Sequence, residues 1–123
     1  MNFASIRIIT DNVDELAAFY ELVTGTVAVR PAPVFAEFRS PTGTLAIAST
    51  ATVGMLGERA PRPKANQSVI LEFLVDDVDS EFARLRDALD NIILEPTTMP
   101  WGNRSTIFSD PDGHLLNLFS RPE

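Results

Sequence analysis

The sequence has no cysteine and one histidine, His114. The first absence excludes disulfides, thiol nucleophiles and thiolate metal sites. The second excludes an iron centre of the two-histidine, one-carboxylate kind. Basic residues are also scarce: ten Lys and Arg stand against seventeen Asp and Glu, for a net charge of −7. A nucleic-acid binder needs a basic face to meet phosphates, so no nucleic-acid partner is expected. No apolar run approaches the roughly 20 residues that span a bilayer, so no membrane partner is expected either. The start, Met1-Asn2-Phe3-Ala4-Ser5, lacks the basic and apolar regions of a signal peptide, and a cytoplasmic location is the default expectation.

What is present is one domain's worth of chain, 123 residues with 45% hydrophobic content. Its charge is uneven. Residues 1–50 carry three basic and five acidic groups, a balance of −2. Residues 51–66 carry three basic and one acidic, a balance of +2. Residues 67–123 carry four basic and eleven acidic, a balance of −7. An acidic surface aids solubility, and it also favours neutral or cationic ligands over anionic ones.

Residues 3–10 alternate as a strand, with Ile6 and Ile8 toward the core. Asn12 is placed to cap a helix, and Glu15, three residues on, would complete a capping box. Val13, Leu16, Ala17, Tyr20 and Val23 recur at helical spacing, and Gly25 is the expected stop. Short strands follow at about 26–30, 34–39 and 44–50, the last two joined by Ser40-Pro41-Thr42-Gly43. Residues 51–66 show no periodicity and contain Gly54, Gly57, Pro61 and Pro63, as a linker does. Its basic residues Arg59, Arg62 and Lys64 suit either a solvated connector or a lid.

The plan then begins again. Val69, Leu71, Phe73 and Val75 form the apolar side of a strand. Asp77 caps a second helix with Val78, Phe82, Leu85 and Leu89 as its stripe, and Asn91 is positioned to close it in the left-handed conformation. A strand at 91–95 leads to Trp101-Gly102-Asn103-Arg104, then a strand, the turn Asp110-Pro111-Asp112-Gly113, and a last strand through Phe119. Asp11-Asn12-Val13-Asp14 matches Asp76-Asp77-Val78-Asp79 at an offset of 65, and Ser40-Pro41-Thr42-Gly43 matches Asp110-Pro111-Asp112-Gly113 at an offset of 70. Two copies of strand-helix-strand-strand-strand make an internal duplication. Its parts are module 1–50, linker 51–66 and module 67–123 within a single α+β domain. Phe38 and Phe108 are repeat equivalents and belong to the core.

On these residues the chain resembles the vicinal oxygen chelate superfamily: glyoxalase I, bleomycin resistance protein and extradiol dioxygenases. The resemblance covers nearly the whole chain. Pro100-Trp101-Gly102 with Arg104, followed by Asp110-Pro111-Asp112-Gly113, is most similar to the bleomycin resistance branch. It implies two βαβββ modules, each curling its sheet around half of a cup. It also implies a homodimer, in some members with swapped modules.

The resemblance further implies four metal positions, one on the first and one on the last strand of each module. They align here to Ser5, Ile47, Ile70 and Asn117. Serine is a poor ligand, isoleucine is none and one asparagine is weak, so no metal and no cofactor is expected. His114 follows the turn directly and reads as a solvent-facing flank.

Alternation outward from the metal positions that the resemblance implies puts Phe3, Ser5 and Arg7 in the cup with Leu45, Ile47 and Ser49, and Ile70, Glu72 and Leu74 with Leu115, Asn117 and Phe119. Arg7 and Glu72 are repeat equivalents. They either pair with each other or reach solvent, or else Glu72 meets a ligand cation or serves as a base. Trp101 either stacks on a flat or cationic ligand or plugs a packing gap or dimer contact. Arg104 is placed to bond carbonyls of residues 96–100. The expected function is metal-independent binding of a small, partly aromatic, neutral or cationic molecule. The resemblance suggests sequestration of a toxic or antibiotic-like compound. The candidate contacts are Trp101, Glu72, Asn117, Phe119, Arg7, Phe3 and Ser5. The alternative is a lyase, isomerase or dioxygenase of the same superfamily.

Overall fold

Each copy of the repeat folds as a four-stranded mixed sheet with one principal helix. The computed structural model describes residues 1–123, which divide into two units, Met1–Ala65 and Asn66–Glu123. In the first, β1 (Ser5–Thr10) is followed by α1 (Val13–Thr24), β2 (Val29–Ala32), β3 (Phe35–Ser40) and β4 (Gly43–Ser49). In the second, β5 (Ile70–Leu74) is followed by α2 (Val78–Leu85), β6 (Ile92–Thr98), β7 (Arg104–Ser109) and β8 (Leu115–Ser120). The sheet orders are β1-β4-β3-β2 and β5-β8-β7-β6. The first and last strands of each unit pair in parallel, and the other pairs are antiparallel.

The helix ends follow their capping chemistry. Asn12 Oδ1 accepts from Glu15 N at 3.1 Å, while Asn12 N donates to Thr10 Oγ1 rather than to the Glu15 side chain. The cap is therefore one-sided, not a full box. Gly25 takes φ = +70° and donates to Glu21 O, which satisfies an orphan carbonyl of the last turn. Asp77 caps α2 through Ser80 N at 3.1 Å. Asn91 does not close α2: the helix passes into a 3-10 turn over Arg86–Ala88, and Lys64 is the one non-glycine residue with positive φ.

In the first unit α1 lies on β3 and β4, with Leu16, Tyr20, Ala36 and Ile47 almost fully buried and the Tyr20 and Phe38 rings 6.1 Å apart. In the second, α2 lies on β6, β7 and β8 over Leu85, Phe108 and Leu116. Ile6 is on the helix side but 40% exposed, because it starts an edge strand. Val69 precedes β5 and is exposed. β2 starts later than the composition suggests, and β6 runs on to Thr98, through Pro96. The ladder of β6 shifts register between Ile92 and Leu94 and again between Leu94 and Thr97. Such irregular edge positions tolerate a residue with no N–H.

The two hairpins that look alike in sequence differ by one residue. Ser40 pairs with Gly43, so Pro41 and Thr42 alone turn the first. In the second, Asp110 N donates to His114 O and Gly113 N to Asp110 O, which leaves three residues in the loop. The offset between copies is therefore 70 along β3 and β7 but 71 along β4 and β8. Arg7 lies opposite Ala46, and Glu72 opposite Asn117. Paired residues share a sheet face, and a one-residue slip exchanges faces. The face of Ser5, Arg7 and Ile9 thus carries Thr44, Ala46 and Ala48. Leu45, Ile47 and Ser49 lie on the helix side with Ile6, Ile8 and Thr10, which corrects their expected place in the cup.

Residues 51–65 belong with the first unit and are not a bare linker. They form 3-10 turns over Thr50–Thr52 and Gly54–Arg59. Val53 packs on Ile9 and Ala48, with Phe35 and Ala60 alongside. The non-helix face of the first sheet is therefore covered, at one end, by its own chain. Val53→Ala removes two buried methyl groups and should cost about 2 kcal/mol. Urea unfolding measures that loss. Amide exchange of residues 54–60 should rise more than that of β4 if Val53 is what holds the segment down.

Candidate functional site: the open face of the second sheet

The non-helix face of the second sheet carries Ile70, Glu72 and Leu74 from β5 beside Leu115, Asn117 and Phe119 from β8. Ile70 and Leu74 are exposed, as is Glu72. Asn117 is only 8% exposed, since β8 is an inner strand. Its Nδ2 donates to Glu72 Oε2 at 2.9 Å. Its Oδ1 is buried and has no hydrogen-bond partner. Such an atom is an unmet acceptor on a mostly apolar surface. Phe119 is half-buried, and the Arg121 guanidinium sits 5.6 Å from its ring centre. Arg121 escapes the sequence reading. The signal for it was its position two residues beyond Phe119, on the same face of an extended chain.

Trp101 stands at the tip of the β6–β7 hairpin and is 68% exposed. The tip is fixed from below. Met99 N donates to Asn103 O at 2.7 Å and Gly102 N to Met99 O at 2.9 Å. Gly102 has φ = +101°, a conformation that favours glycine, and a Cβ there would press on Pro122 Cγ at 3.3 Å. Arg104 does not bond the carbonyls of residues 96–100. Its Nε and Nη2 donate to the two Asp79 oxygens at 2.6 and 2.8 Å, and its Nη1 to Thr98 Oγ1. This fork holds the hairpin base to the first turn of α2. It lowers the Asp79 pKa and raises that of Arg104, the hydrogen bond being the main cause in each.

The remaining candidates lie in the first unit. Phe3 is 80% exposed and precedes β1, and Ser5 and Arg7 are exposed on the non-helix face of β1. The structure thus joins Glu72 to Asn117 and sets Phe119 on the same face. Trp101 shares their unit, at the hairpin tip, and Phe3, Ser5 and Arg7 belong to the first unit.

The model of the Glyoxalase/Bleomycin resistance protein/Dioxygenase superfamily matches residues 2–118. The chain belongs to this superfamily. Among solved structures, a glyoxalase/bleomycin resistance protein/dioxygenase family enzyme from Burkholderia phytofirmans PsJN superposes with a TM-score of 0.84 at 16% identity, over 98% of each chain. A glyoxalase/bleomycin resistance protein/dioxygenase from Nocardioides gives 0.80 at 21% identity, over 100% of this chain and 85% of that one. A lactoylglutathione lyase from Agrobacterium tumefaciens gives 0.73 at 21% identity, over 97% and 92%. No curated protein matches the chain in sequence.

Glyoxalase-superfamily enzymes are metal enzymes in many cases, so the donor set matters. With the register corrected, the four metal positions hold Ser5, Ala46, Ile70 and Asn117. Two are alkyl groups, and the strongest donor is one amide oxygen. No three His, Asp or Glu side chains gather anywhere in the chain. These residues do not fit a divalent metal, which needs three or more good oxygen, nitrogen or sulfur donors.

His114 corrects the expectation of a solvent-facing flank: it is 9% exposed. Its Nδ1 lies 2.9 Å from Asp110 Oδ2, while Asp110 Oδ1 accepts from the amides of Asp112 and His114. The hydrogen bond to Asp110 raises the His114 pKa, against the opposing effect of burial. A raised folded-state pKa means the pair stabilises fully below the unfolded value near 6.5 and fades as pH rises through the folded value. His114→Asn should therefore destabilise the protein more at about pH 6 than at about pH 9. Urea unfolding across that range checks the trend, and an NMR titration should place the His114 midpoint above 6.5.

Proposed function

We propose that this superfamily member binds a small, partly aromatic, neutral or cationic molecule without a metal, on the open face of the second module. The observation that carries the reading is the Glu72–Asn117 pair, an acidic and amide acceptor set on an exposed apolar surface where metal donors are wanting. Apolar walls with a few placed polar groups are the usual make-up of small-molecule sites. Ile70 and Leu74 supply the apolar wall, and Phe119 an aromatic edge. Affinity alone is then the activity, and sequestration of a toxic, antibiotic-like compound is the role that suits it. The Trp101-Gly102 and Asp110-Pro111-Asp112-Gly113 elements, similar to the bleomycin resistance branch, support that role. So does the −7 balance of residues 67–123. We read the working form as a cytoplasmic homodimer. Trp101 is the exposed aromatic of the same module in this reading.

Two measurements test it. In a screen of neutral and cationic aromatic compounds by 15N-detected NMR, amides of residues 70–74 and 115–119 should move together, with quenching of Trp101 fluorescence. A screen in which no compound perturbs those strands overturns the site. Dialysis against zinc, nickel or ferrous iron should leave far less than one ion per chain. One tightly held ion per chain overturns metal independence and points to the enzyme reading instead.

A further inference from the structure

We infer that Glu72 and Asn117 select a ligand group that carries a positive charge and more than one N–H donor: an amidinium, a guanidinium or a primary ammonium. The inference rests on the binding face proposed above and names what that face recognises.

Three observations carry it. First, the Asn117 amide has its orientation fixed. Nδ2 donates to Glu72 Oε2 at 2.9 Å, and the flipped amide would set two acceptor oxygens against each other. Oδ1 must then remain an acceptor, and it is buried without a donor. A group that brings an N–H beside Glu72 would satisfy it once the neighbouring side chains part to uncover it, whereas an acceptor there would leave it unmet.

Second, Glu72 has no counter-ion in its own unit. No cation of residues 66–123 forms an ion pair with it, although Arg121 stands over Phe119 on the same face. Arg84 pairs with Glu81, and Arg104 with Asp79. Arg86 lies over Phe82 and Arg121 over Phe119. His114 is held by Asp110. An unpaired carboxylate between Ile70 and Leu74 attracts a cation, and charge-assisted hydrogen bonds are stronger than neutral ones.

Third, the repeat supplies a comparison. The first unit has Arg7 and Ala46 where the second has Glu72 and Asn117. The acceptor pair is a feature of one copy and not of the fold. Burial of Oδ1 also favours a compact, planar donor over a bulky quaternary cation, which has no N–H to give.

Benzamidinium, benzamide and benzoate share a ring and differ in charge and donors, so they separate the terms. Calorimetry should rank benzamidinium at least about tenfold above benzamide, with benzoate weakest. On titration with benzamidinium the Asn117 side-chain NH2 resonances should shift. Glu72→Gln, a surface change that keeps shape, should remove most of the preference for the cation. Asn117→Leu should weaken benzamidinium and benzamide alike, since both bring N–H donors, and should not improve benzoate's rank. Equal binding of benzoate and benzamidinium, or an unchanged ranking in Glu72→Gln, overturns the inference. If neutral aromatics bind this face but benzamidinium gains nothing, the selectivity fails and the binding face stands. If no probe binds the face, the face itself fails.

Discussion

The parallel ladder between β5 and β8 holds Glu72 opposite Asn117, and the chemistry of the second module follows from that register. Two side chains across a parallel pair share a face whatever their identity, so the ladder brings the carboxylate and amide together before either makes a hydrogen bond. The same ladder in the first module brings Arg7 to Ala46. The difference between the modules is therefore one of side chains, laid on a common backbone plan. What keeps each plan in step is turn length. A two-residue loop ends β3, a three-residue loop ends β7, and each sends its last strand back with the correct face toward the helix.

Much of this plan is legible without coordinates. The two helices, their Asn12 and Asp77 caps and the Gly25 stop follow from local chemistry that depends on a few adjacent residues. The duplication is visible because Asp11-Asn12-Val13-Asp14 and Asp76-Asp77-Val78-Asp79 repeat the same capping problem. In the second module the face of Glu72, Asn117 and Phe119 is also readable, from alternation about the two positions that the family resemblance marks. The first module is not, because an assumed constant offset of 70 hides the extra residue in the second hairpin. Ile47 consequently reads as a cup residue, and only strand pairing shows it on the helix side, fully buried. Loop length is a matter of hydrogen bonds, and Pro-x-Gly suits loops of either size.

Other misses share a cause: a side chain's partner was far away in sequence or hidden by a turn. Arg104 reaches Asp79 across 25 positions, in preference to nearby carbonyls, because a carboxylate offers two acceptors in the plane of the guanidinium. His114 looks like a surface flank by its neighbours, yet the three-residue loop folds it back onto Asp110. The fold thus ties both hairpins of the second module by charge, one at its base to α2 and one within its own turn. Neither tie lies on the open face, so the Glu72–Asn117 pair is left as the polar feature of that face with a hydrogen-bonding capacity still to be filled.

The covering of the first sheet by Val53 and Ala60 has a further consequence. A duplicated fold begins with two equivalent surfaces, and here one of them has been spent on internal packing. Equivalence between the halves is lost at that end of the sheet. Changes at Val53 or Ala60 should therefore act on how well the first half holds together.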